Sequence, residues 1–290
     1  MSHTAAAEPG TVATPWRRAP IARDKKGQWW RFGVIAVLTL IVNTPILAVL
    51  YLSTQAGPNS TTTGFTLENF ARVFAETDVT IWLGNSLTVA LVTVVVAVVV
   101  AAPAGYVLSR LRNRLVSGYS LILFVVQSLP VVTAAIPLFL TFTVFGLVDS
   151  LGGVAIVYIG STMSVAIWMM AAYFDSIPIS LEEAAWMDGA TVFGSFRRIV
   201  LRNSLPGILS TAIFSFLLAW NDYLIALLFL QSPDKLTLPV GLQTFFQQNA
   251  ADWASVMAVA VVMMAPPILI FAVLNRYFSL GGIGGSLAGR

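Results

Sequence analysis

The sequence predicts an all-α, polytopic membrane protein with six transmembrane helices. Three observations carry that prediction. First, 57% of the residues are hydrophobic and only 10% are charged, where soluble domains hold about 25% charged residues. Such a chain has too little polar surface to face water all round, so a bilayer must serve as its solvent. Second, the apolar residues come in continuous runs, as from Val92 to Ala102. Continuous runs suit helices, whose backbone groups bond within the segment, whereas barrel strands alternate. Third, the basic residues alternate in side from one connection to the next, as a six-span chain requires.

Taken in order, residues 1–31 are rich in Ala, Pro, Thr and basic side chains and read as a disordered, basic cytoplasmic tail near anionic headgroups. Trp29 and Trp30 suit the membrane interface. The single histidine, His3, reads as a bystander in that tail.

The transmembrane domain covers 32–275, with spans near 32–52, 82–108, 119–142, 153–173, 205–230 and 253–274. A helix of about 20 residues crosses a hydrocarbon core of about 30 Å. The first run is longer than the apolar core of a cleaved leader, about 7–15 residues, and reads as a retained span. Cysteine is absent, which excludes disulfides and thiolate metal sites.

Of the 16 Lys and Arg residues, only Arg72 and Lys235 fall on the outer side. The others lie in the N-tail (Arg17, Arg18, Arg23, Lys25, Lys26, Arg31), after span two (Arg110, Arg112, Arg114), after span four (Arg197, Arg198, Arg202) and in the C-terminal tail, 276–290 (Arg276, Arg290). Positive charge stays cytoplasmic, so both termini are expected there.

The first outer loop, 53–81, opens with a flexible Gly57-to-Gly64 segment. Thr66 can then cap a short helix carrying Leu67, Phe70 and Phe74 on one face. That helix either lies over the outer ends of the spans or meets an external delivery protein. In span three, Gln127 and Ser128 precede Pro130, and Pro137 follows; prolines break the backbone ladder and bend helices. Pro266-Pro267 is expected to bend span six in the same way.

Residues 178–202 stand apart from the apolar runs. Pro178 stops the preceding helix. Ser180 and Glu183 stand in S-x-x-E order, a capping box, so a helix is expected from Leu181. Gly189 ends it as a turn residue. Thr191 can cap a second helix, whose apolar positions Val192, Phe196, Ile199 and Val200 recur at helical spacing while Arg197 and Arg198 lie off that stripe. Ser204 and Pro206 suit the first turn of span five. The product is a stiff helix–turn–helix bracket between two spans. It is either a lever for a cytosolic partner or a plain interfacial hairpin.

Charges inside spans ask for a reason. Asp222 lies in span five with Trp220, Asn221 and Tyr223. Carboxylates, amides and aromatic faces suit a sugar, so these four and Gln127 are candidates for a solute path. The other reading is a hydrogen-bonded contact between helices, because buried polar groups must be paired. The chain has no G-x-x-x-x-G-K-[ST] phosphate loop, no metal-ligand cluster and no basic patch beyond what orientation requires. No enzymatic, metal or nucleic-acid role is expected.

The stretch Glu183-Ala184-Ala185, then Gly189, then Ile199-Val200-Leu201 resembles the coupling loop of the permease subunits of binding-protein-dependent ABC sugar importers, the maltose-type second permease in particular. Asp188 and Ala190 match the family's D-G-A extension, whereas Arg202 stands where relatives usually carry proline. Weaker likenesses follow in order: Thr66-Leu67-Glu68-Asn69-Phe70, Trp220-Asn221-Asp222-Tyr223, and the small-residue tail from Arg276 to Arg290.

The resemblance implies a type I ABC importer permease fold in a prokaryotic cell membrane. It implies a second homologous permease, two ATPase subunits that hold ATP and magnesium, and an extracytoplasmic solute-binding protein. It implies that Glu183, Ala184, Ala185, Asp188, Gly189 and Ala190, with the adjoining Glu182, couple to the ATPase. The cargo is expected to be a sugar or sugar-like solute. The alternatives are an ABC permease for another small solute, such as a glycerol phosphate ester or a polyamine, and an ion-coupled secondary transporter.

Overall fold

The computed structural model describes residues 28–57, 63–246 and 252–287, with side chains described between Trp29 and Tyr277. Most of the basic N-terminal tail, much of the Gly57-to-Gly64 segment and the last residues of the C-terminal tail lie outside the described residues. The chain divides into two compact units, Met1–Leu47 and Ala48–Arg290. In the first, the described residues form the greater part of helix α1, Gln28–Ser53, which has Pro45 inside it. The side-chain amide of Asn43 donates to the Thr39 carbonyl at 2.7 Å.

The second unit holds the remaining helices. They are α2 Glu68–Glu76, α3 Val79–Arg110, α4 Arg114–Ser128, α5 Val131–Val144, α6 Leu151–Asp175 and α7 Ser180–Met187. There follow α8 Val192–Asn203 and α9 Leu205–Asn221. The chain continues in α10 Leu224–Phe229, α11 Leu238–Thr244 and α12 Trp253–Leu287. No cis peptide is present among the described residues.

Among the described residues, four helices are long and apolar enough to cross a membrane: Trp29–Ser53, Val79–Arg110, Leu151–Asp175 and Trp253–Tyr277. The count reaches 6 if each of two bent pairs is one span. The expected third span is therefore not a straight rod. It breaks by 93° between α4 and α5. Proline has no N–H and pushes the residue before it out of helical geometry; Leu129, ahead of Pro130, has ψ 121°.

Span five is interrupted too. Asp222 is extended (ψ 131°) and separates α9 from α10. By contrast, α12 is a single helix through Pro266 and Pro267, and it continues through the small residues of the expected tail to Leu287.

The body of the unit is α3 packed along α6, with α9 against both. Gly105 permits a close approach of α3 to α6: a Cβ there would lie 2.8 Å from Met170 Cβ and 3.0 Å from the Ala171 nitrogen. Two apolar clusters result. One gathers Trp82, Tyr158, Phe216, Trp220, Phe229 and Leu238. The other gathers Ala101, Ile167, Met170, Phe174, Phe196 and Val200, and so reaches from α3 and α6 into the loop at 178–202.

The cap position of helix α2 is Leu67, one residue after the expected Thr66, and has no side-chain capping bond; the Thr66 hydroxyl accepts from the Glu68 N–H at 3.0 Å. The buried residues of α2 are Asn69 and Val73. Leu67 and Phe74 stay exposed. The Asn69 amide donates to the Ser53 and Gln55 carbonyls, and Arg72 pairs with Asp252 at 3.3 Å. Together these ties hold the outer loop to the start of α12.

Candidate functional site: the helical bracket between α6 and α9

The loop after α6 is the bracket that its sequence implies. Gly189 adopts φ +85°, a left-handed conformation that favours glycine. The Ala190 N–H donates to the Ala185 carbonyl at 2.9 Å and the Gly189 N–H to the Trp186 carbonyl at 3.0 Å. This pair of bonds is a Schellman ending, which satisfies the last carbonyls of α7. The Thr191 hydroxyl caps α8 by accepting from the Gly194 N–H at 3.0 Å. The Trp186 indole N–H donates to the Ser195 hydroxyl at 2.9 Å and locks the two arms together.

One detail of the start differs from expectation. Helix α7 begins at Ser180, with Ile179 as its cap and no side-chain capping bond. The capping box does not form, because Ser180 is already inside the first turn. Helix α8 is widened to π geometry over Phe196–Val200 and meets α9 at 75°.

Glu182, expected among the residues that couple to the ATPase, is turned inward. It has no exposed surface. One carboxylate oxygen accepts from Arg110 Nε at 2.7 Å and the other from the Tyr106 hydroxyl at 2.6 Å. Arg110 also donates to the Ile177 carbonyl at 3.3 Å, and next to it the Ser109 hydroxyl donates to Asp175 at 2.6 Å.

Burial without a partner would destabilise a carboxylate strongly; here Glu182 is paired with the Arg110 guanidinium at the end of α3. The Tyr106 ring then lies 4.7 Å from Phe196 and 6.3 Å from Phe174. Sequence reasoning used Arg110 only to orient the chain and did not single out Tyr106. Their spacing of four residues on one helix face was the available signal.

The other candidates of the loop face outward. Glu183, Ala184, Asp188 and Gly189 are exposed, and Ala185 and Ala190 half-buried. Around them Met187 is 88% exposed and Phe193 71%, with Leu181, Trp186 and Val192 also open. This is an apolar ridge on a polar bracket, a composition that marks contact surfaces. Beside it, Arg197, Arg198, Leu201 and Arg202 line an open hollow of about 650 Å³.

The solute-path candidates separate. Trp220 is 1% exposed and its indole N–H donates to the Met263 carbonyl at 3.1 Å. The Asp222 carboxylate accepts from the Tyr158 hydroxyl at 2.7 Å and from the Ile225 and Ala226 N–H groups, and so caps α10. The Tyr223 hydroxyl bonds to Gln243. These three are occupied by the fold, in line with the helix-contact reading. Asn221 is exposed, as is Gln127, which lines an apolar cleft of about 380 Å³ with Leu129, Phe142 and Ser161. Among the described residues, no group of carboxylates and histidines could hold a metal ion.

Residues 97–280 match the family model described as "Binding-protein-dependent transport system inner membrane component". The chain belongs to that family and is an ABC importer permease. The permease is 34% identical over 205 residues to the inner membrane ABC transporter permease protein YcjP of Escherichia coli, covering 71% of this chain and 73% of the relative.

It is 33% identical over 264 residues to the trehalose transport system permease protein SugB of Mycobacterium tuberculosis, covering 87% and 95%. The fold matches a crystal structure of a bacterial ABC transporter involved in the import of the acidic polysaccharide alginate. There the TM-score is 0.75 at 22% identity, over 91% of this permease and 100% of that chain. The permease is thus a multi-pass membrane subunit of a binding-protein-dependent system.

Proposed function

We propose that this permease forms part of the path for a sugar or sugar-like solute and is driven by an ATPase subunit docked on the bracket at 178–202. The observation that carries the docking is the bracket itself. It is stiffened by the Schellman turn, the Thr191 cap and the Trp186–Ser195 bond. It also presents an open apolar ridge from Leu181 to Phe193. A stiff element with an unburied ridge can transmit a partner's movement, and a loose loop cannot.

Glu183, Ala184, Ala185, Asp188, Gly189 and Ala190 make up the docking face in this reading. The small alanines allow close approach, and the neighbouring arginines suit an acidic surface. Glu182 acts from within. Two ATPase subunits hold ATP and magnesium, a second homologous permease completes the path, and an external binding protein delivers the solute. Basic charge puts the bracket and both termini on the cytoplasmic side.

The sugar assignment rests on relatives, among them SugB, the maltodextrin transport permease MdxG of Bacillus subtilis and the alpha-glucoside transport permease AglG of Rhizobium meliloti. Asn221, whose amide donates to the Leu217 carbonyl at 2.9 Å, and Gln127 are the exposed candidates for meeting a solute.

A cysteine at Ala185 tests the docking: it should cross-link to the co-purified ATPase in a nucleotide-dependent manner. No cross-link from Ala185, Met187 or Phe193 would overturn it. Uptake of radiolabelled disaccharides by proteoliposomes holding the assembled transporter tests the cargo. Uptake of glycerol phosphate esters or polyamines in their place would refute the sugar assignment, and uptake that collapses with a protonophore while ATP persists would refute the drive.

A further inference from the structure

We propose that Glu182 and Arg110 are positioning residues that carry the displacement of the bracket into α3. This inference rests on the docking proposed above. The covalent chain joins the bracket only to α6 and α9. Nothing in the sequence ties it to α3, a span 68 positions upstream at its nearest end.

The fold supplies that tie. Both oxygens of Glu182 are held by α3, one by Arg110 Nε at 2.7 Å and one by the Tyr106 hydroxyl at 2.6 Å. The carboxylate has no exposed surface, and Arg110 is 13% exposed. Separating the pair would leave an uncompensated buried carboxylate, which is strongly destabilising. The second arm of the bracket grips the same helix, through the Phe196 ring against Tyr106.

Glu183, one residue on, is exposed and has no ion-pair partner among the described residues. The two glutamates therefore divide the work: one faces outward, and the other couples inward.

A buried ion pair is a poor device for stability alone, since apolar residues of similar volume serve as well or better. What it adds is directional register. Each oxygen of Glu182 has one donor, so α7 cannot slide along α3 without breaking both bonds. A push on the outer ridge then moves α3, α6 and α9 as one body.

The test uses the whole transporter in proteoliposomes, with permease, ATPases and binding protein. Three quantities are measured on each variant: cross-linking from a cysteine at Ala185 to the ATPase, ATP hydrolysed, and solute taken up. Glu182→Gln should still cross-link, while solute taken up per ATP falls at least fivefold. Arg110→Gln should do the same, and the double variant should be no worse than either single one, because the two act as a unit. Arg110→Lys should recover part of the loss.

Tyr106→Phe keeps the ring on Phe196 and removes one bond, so a loss of about twofold is expected. It decides the matter if Glu182→Gln does not assemble. Assembled Glu182→Gln, or Tyr106→Phe in its place, with unchanged uptake per ATP would overturn the proposal. Additive losses in the double variant would do so as well. Absence of the Ala185 cross-link in the otherwise unaltered permease would instead overturn the docking.

Discussion

Replacing Gly189 isolates the backbone of the bracket from everything around it. Gly189 has φ +85°, and a Cβ added there would meet nothing within 4 Å. A substitution therefore creates no steric clash with a neighbour, and its effect is conformational. An L-residue held in the left-handed region costs about 1–2 kcal/mol, and a β-branched one lies at or above the upper end of that range. Asparagine tolerates the region and should cost least.

Since about 1.4 kcal/mol is a factor of ten, Gly189→Val lowers the ratio of closed to open turn by about 30-fold for a cost of about 2 kcal/mol. The two Schellman bonds from Gly189 and Ala190 are then broken in a larger share of molecules. In proteoliposomes holding the full transporter, uptake per ATP should fall in the order Gly, Asn, Ala, Val. Thermal unfolding of the spans should change little. Equal coupling for Gly and Val would refute the reasoning. Asn as damaging as Val would refute it too, since bulk at the docking face would then matter in place of φ.

Two further outcomes follow from the structure. Asp222→Ala removes the cap of α10 and the acceptor of the Tyr158 hydroxyl. A lost cap costs about 1 kcal/mol, and a stranded buried donor adds about 1–3 kcal/mol. The purified permease should unfold at lower temperature while its preference among solutes is retained, and a changed preference in competition assays would restore Asp222 to the solute path.

At the outer loop between α5 and α6, the Ser232 hydroxyl, the Ser232 and Gln231 N–H groups and the Lys235 ammonium hold the Asp149 carboxyl well below the usual carboxylate range. A depressed folded value means that this stability is fully present above the unfolded value of about 3.9 and is lost as pH falls through the folded one. The unfolding-temperature gap between the permease and Asp149→Asn should therefore hold from pH 8 to about 5 and narrow below about 4. A gap that widens in acid would contradict the assignment.

Much of this protein can be read without coordinates. The apolar runs locate the helices because a bilayer offers backbone groups no partners, which makes long helices obligatory. Gly189 and Thr191 announce the turn and the second arm of the bracket because both act through their immediate neighbours. Local rules were less secure where two of them compete, as at Ser180, which was expected to cap a helix and instead lies inside it. Pro130 marks a bend in sequence, but only the structure gives its magnitude, 93°.

The sequence by itself determined the all-helical membrane class of the protein and the place of the bracket, since hydropathy and turn chemistry act within a few residues. Only the tertiary structure decided which of two adjacent glutamates faces outward, which polar residues of span five are already bonded, and that Arg110 belongs to the bracket. Those outcomes are long-range pairings between segments tens of residues apart. A buried charge takes whichever partner the packing of α3 against α6 brings within reach.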